Sequence, residues 1–131
     1  MIKYFDYIFY RIYLFYKAKG DDNPILMTIN FIVVFQLVFI FVTGVLIQKF
    51  TSLSFNSIGK NLYWLIVAIV GTGLYSLNAF HFLKKKHYLT LLQLHANNNL
   101  NYKIKLWMLF TQPIILIISL IVVLYIASLV K

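Results

Sequence analysis

The chain contains no cysteine and no glutamate, and its only acids are Asp6, Asp21 and Asp22. Without cysteine it forms no disulfide, offers no thiolate nucleophile and builds no cysteine zinc site. With every carboxylate ahead of residue 23, it lacks the paired acids of general acid–base catalysis downstream. Glycine numbers 5 and proline 2, and neither forms a recognisable functional loop. Gly71-Thr72-Gly73 falls inside an apolar stretch with no strand before it, so it is not a phosphate cradle. No GxSxG nucleophile elbow occurs. There is no internal repeat of the kind that builds many transporters. An enzyme is not expected.

Apolar residues are abundant, at 62% of 131 positions, against about half in ordinary soluble domains. Three runs dominate, at 26–47, 62–83 and 106–130. Each matches the roughly 20 residues a helix needs to cross a hydrocarbon core of about 30 Å. The expected class is an all-α polytopic membrane protein with three transmembrane helices in a unit covering 24–131. Lipid then acts as solvent for apolar surface that so short a chain cannot bury from water.

Residues 1–19 are too charged to span. Ile2, Phe5, Ile8, Phe9, Ile12, Phe15 and Tyr16 recur at three- and four-residue steps, one face of a helix. Lys3, Asp6, Tyr10 and Lys17 fall largely elsewhere on the wheel. This pattern points to an amphipathic helix in the membrane interface, where tyrosine rings suit the headgroup zone. A helix packed on the bundle is the alternative. Charges at Lys3, Asp6 and Arg11 also interrupt any signal-peptide core, so 26–47 is expected to act as an uncleaved signal anchor. No lipidation motif is present.

Residues 18–23 (AKGDDN) read as a turn. Gly20 suits a left-handed helix end, Asp22 or Asn23 a cap, and Pro24 the first turn of the next helix. Residues 50–61 form a short polar loop. After the second run, Tyr88, Leu91, Leu92 and His95 keep helical spacing. That helix is expected to continue to about Ala96, with Asn97-Asn98-Asn99 as its stop. Lys105 and Trp107 read as interface anchors of the third run. Pro113 is expected to kink that run by freeing the carbonyl of Leu109, with Thr111 or Gln112 satisfying it.

Net charge is +9, and the bases flank the apolar runs. This fits anionic lipid headgroups and not nucleic acid. Lys3, Arg11, Lys17, Lys19, Lys84, Lys85, Lys86, Lys103 and Lys105 fall on one side; Lys49, Lys60 and Lys131 fall on the other. The positive-inside rule then places the N-terminus and the basic segment 84–105, with its Lys84, Lys85, Lys86 cluster, in the cytoplasm and the C-terminus outside.

In the second run Ala68, Thr72, Ser76 and Ala79 form a stripe of small residues, with Gly71, Tyr75 and Asn78 beside it. Such stripes let helix backbones approach closely in lipid. They mark a packing seam toward another span or another copy. Gln36, Thr43, Gln112 and Ser119, with Thr72, Ser76 and Asn78, are candidates to line a water path; helix–helix hydrogen bonding is the competing use. Of the three histidines, His81 sits near the inner end of the second run. On a continuous helix His81 and His95 stand about 20 Å apart. With no acid or cysteine expected beside them, no metal and no cofactor is expected.

Residues 7–20, YIFYRIYLFYKAKG, resemble the aromatic YxxYRIYxFYKxKG-like opening of small integral membrane proteins from Bacteroidetes-type bacteria. A composition rich in Ile, Phe, Tyr, Lys and Asn fits such AT-rich genomes. The chain departs from the group at 97–101, where such proteins are more charged. The resemblance implies a bacterial taxon and a membrane-protein class, and carries over no activity or site residue.

The leading expectation is therefore a non-enzymatic inner-membrane subunit that self-associates as a homo-oligomer or docks on a membrane-protein partner. The alternative is an oligomeric pore-forming or membrane-disrupting effector of the toxin or abortive-infection type.

Overall fold

A computed structural model describes residues 2–51 and 59–130. The described part is helical and has no strand among its residues. Most of the polar loop expected at 50–61 lies outside the described residues.

Helix α1 (Ile2–Lys19) ends where the sequence asks it to. Gly20 takes φ 82°. The Gly20 amide donates to the carbonyl of Lys17 and the Asp21 amide to that of Tyr16, both at 3.2 Å. This pairing is a Schellman close, and it satisfies two otherwise orphaned carbonyls. Lys17 and Lys19 in the last turn favour the negative end of the helix dipole.

Helix α2 (Pro24–Phe50) begins with Asn23 as its cap, its Oδ1 accepting from the Leu26 amide at 3.2 Å, and with Pro24 in the first turn. Of the two candidate caps, Asn23 is the one used. Helices α3 (Lys60–Leu83) and α6 (Leu106–Leu129) complete the long elements. Three helical stretches are long and apolar enough to cross a membrane. Helix α2 packs against both α3 and α6, whose backbones do not come close to each other among the described residues.

The helix expected to run unbroken to Ala96 does not form. It breaks at a 3₁₀ turn, Lys84–Lys86, where Lys85 and Lys86 take φ 51° and 54°. A left-handed conformation costs a non-glycine residue about 1–2 kcal/mol. The gain is in packing: the break turns α4 (His87–His95) back onto α1, burying Leu91 to 2% exposure. A short helix, α5 (Leu100–Lys103), then leads into α6.

The densest core lies around α1. Ile8, Phe9 and Ile12 are fully buried with Ile29, Ile32, Phe82 and Leu109. The Phe9 and Phe82 rings stack with centroids 4.1 Å apart. Tyr7, Tyr10 and Tyr13 are buried as well. Tyr10 stands off the apolar stripe, but α4 and α5 cover that second side of α1, so the helix is enclosed on two faces. Of the two uses read for residues 1–19, packing on the bundle is present.

Candidate functional site at the basic end of the bundle

The small-residue stripe on α3 divides into two faces. Gly71, Asn78 and Ala79 turn inward with Leu74 and Tyr75. A side chain at Gly71 would meet Leu37 of α2 at ordinary contact distance, 3.8 Å. Asn78 is buried; its Nδ2 donates to Gln36 Oε1 at 2.7 Å and to the carbonyl of Leu74 at 2.8 Å. This reciprocal amide pair ties α3 to α2 between apolar walls, where an unpaired amide is costly. Ala68, Thr72 and Ser76 point outward and are exposed.

The residues read as a polar lining separate in the same way. Gln36 faces Asn78. Thr43, Thr72, Ser76 and Ser119 are exposed, and each donates its hydroxyl to a carbonyl four residues back, at 2.8, 2.8, 2.9 and 2.8 Å respectively. Gln112 accepts from the Tyr4 hydroxyl. Burial pushes the Tyr4 hydroxyl above its ordinary value, partly offset by that bond, so it remains a protonated donor at neutral pH. Pro113 sits within α6 as expected. Thr111, however, donates to the carbonyl of Met108 at 3.1 Å and not to that of Leu109, and Gln112 is engaged by Tyr4.

Polar chemistry concentrates at the end carrying α1, α4 and α5. Asn101 is the organiser there. Its Nδ2 donates to the carbonyl of His95 at 2.8 Å, its Oδ1 accepts from the Tyr7 hydroxyl at 3.1 Å, and its carbonyl accepts from Arg11 at 3.3 Å. Arg11 also donates to the Tyr7 oxygen at 2.8 Å. Nothing in the sequence marks Asn101 for this role, because one asparagine in an asparagine-rich turn carries no periodic signal.

A second cluster joins α1, α3 and α4. His81 Nε2 lies 2.9 Å from Asp6 Oδ1. The His87 ring stands edge-on to that of His81, centroids 4.9 Å apart. This corrects the expectation that no acid approaches the histidines. The break at Lys84–Lys86 brings His87 beside His81, and α1 supplies Asp6. His95 stays apart, edge-on to the Tyr7 ring and tilted against that of Tyr10. Lys84, Lys85 and Lys86 are exposed beside the cluster, with Lys84 Nζ held over the Phe80 ring, 4.7 Å from its centroid.

Comparison of the chain with models of protein families, with curated proteins and with solved structures finds no match.

Proposed function

We propose that this chain is a non-enzymatic helical subunit of a bacterial inner membrane that works by packing against another helix surface, first of all a second copy of itself. The observation that carries the reading is how little of the long helices the chain covers. The most apolar stretch is 33% buried in α2 but only 11% buried in the α3-containing segment and 11% in α6. Acyl chains or neighbouring helices must cover the rest. The outward Ala68, Thr72 and Ser76 face is the part of α3 shaped for close helix approach, because its side chains are short and its hydroxyls are already satisfied on their own helix. The same self-satisfied hydroxyls argue against a hydrated pore lined by them.

In this reading the basic end faces the cytoplasm and anionic headgroups, with α1 at headgroup depth beneath the bundle and the C-terminus outside. The asymmetry of lysine and arginine supports that orientation. Replacing Thr72 and Ser76 together with leucine tests the association. Mass measured in detergent by light scattering is expected to fall from an oligomer to one chain. Equal masses for both proteins remove α3 as the seam. A reporter fusion after Lys131 tests the threading, and a cytoplasmic signal there reverses it.

A further inference from the structure

We propose that Asp6, His81 and His87 form a binding site for a divalent transition ion of the zinc type, linking α1, α3 and α4. Three observations carry it. First, the ligand-capable atoms of the three side chains all lie within 4.8 Å of one another. They come from positions 6, 81 and 87, so the fold alone gathers them. Second, the turn that positions His87 uses two consecutive left-handed lysines. Without that turn His87 would lie nearly two helical turns farther along the axis, about 9 Å from His81. Third, the two histidines open on a groove of about 590 Å³ that Leu77, Phe80, Lys84, Lys85 and Thr90 also wall, which leaves room for water as a fourth ligand, while Asp6 closes the site from behind.

The donor set selects the ion. Two imidazoles and one carboxylate suit Zn²⁺ and its neighbours, whereas Mg²⁺ and Ca²⁺ require more oxygen ligands. Bonds of about 2.0–2.1 Å place tetrahedral ligand atoms roughly 3.3 Å apart. Asp6 and His81 are already at 2.9 Å. The widest separation in the trio is within 4.8 Å, so the ligand atoms must close by about 1.5 Å to reach that spacing. Lys84 and Lys85 wall the groove and oppose a cation; Lys84 is drawn onto the Phe80 face, and Lys85 is exposed, where solvent screens it. Asp6 is the counter-charge, and its side chain is only 13% exposed. Such a site would fasten α1 and α4 to the end of α3, and it requires neither oligomerisation nor a particular membrane orientation.

The test uses the full chain in detergent, purified without a histidine tag and stripped with a chelator. Zn²⁺ is titrated calorimetrically in excess Mg²⁺, and bound metal is counted after dialysis. One zinc per chain is expected. His87→Ala is expected to weaken binding about tenfold or more, as are Asp6→Asn and His81→Ala, while His95→Ala leaves it unchanged. Zinc is also expected to raise the unfolding temperature of the unaltered protein but not of H87A. Both histidines are less enclosed than Asp6, so H81A and H87A keep the test decisive if D6N fails to fold. No saturable zinc binding up to about 1 mM, or equal binding by H87A and the unaltered chain, overturns the site and leaves Asp6–His81 as a purely structural contact.

Discussion

At the scale of single residues, the energetics concentrate where polar groups meet apolar walls. Asn78 and Gln36 satisfy each other inside the bundle. Asn78→Ala is expected to cost about 1 kcal/mol by orphaning the glutamine amide. The double variant Gln36→Leu with Asn78→Leu is expected to recover most of that loss, because no polar group is then left buried. Thermal unfolding in one detergent checks both, and an unchanged midpoint for N78A would show the pair to be idle. Phe9 is fully buried and stacked on Phe82, so Phe9→Ala is expected to cost about 3–5 kcal/mol. Tyr102, 91% exposed, is expected to change stability by no more than about 0.5 kcal/mol when replaced by alanine.

At the scale of elements, the joints are more informative than the rods. The turn after α1 was legible in the sequence, because glycine, asparagine and proline each have one physical use at a helix boundary. Gly20 holds φ 82°, and a methyl group added there would meet nothing within 4 Å. Gly20→Ala is therefore expected to destabilise by about 1–2 kcal/mol through the backbone alone, read as a shift in the denaturation midpoint. The break at Lys84–Lys86 was not legible. Lysine is a good helix former with no turn signature, and Tyr88, Leu91 and Leu92 preserve helical spacing across it. The apolar surface of α1, waiting to be covered, offsets the strain of two left-handed lysines. Lys85→Pro forbids φ 51° and is expected to release α4 from α1. Because the chain has no cysteine, a pair introduced at Tyr13 and Tyr88, whose rings lie 6.2 Å apart, reports this directly. The pair is expected to be joined by a flexible bis-thiol reagent of about 10 Å reach, since ring separation does not set the Cβ spacing a direct disulfide needs, and to lose that cross-link when Lys85→Pro is added.

At the scale of the whole molecule, the least apolar of the long helices, α1, is the one most enclosed. The α3-containing segment and α6 leave most of their apolar surface uncovered. Such uncovered apolar helices are what a lipid solvent permits, since acyl chains satisfy apolar faces as well as a protein interior does. Helix α1 is the common partner of α2, α4 and α6. Removing residues 1–19 is therefore expected to cost the protein its single defined state, seen as a loss of monodispersity in detergent by size-exclusion chromatography. A truncated chain that eluted as sharply as the full one would show that the long helices organise themselves.

The apolar runs, the caps and the basic asymmetry are local or compositional properties, and the sequence by itself determined them: helix length follows from run length, and helix ends from residues with one conformational use. Which face of α3 points inward, where the second helix breaks, and that Asp6 meets His81 and His87 were decided only by the tertiary structure. Each depends on contacts between positions tens of residues apart, and the surface that makes one arrangement worth its strain exists only once α1 is in place.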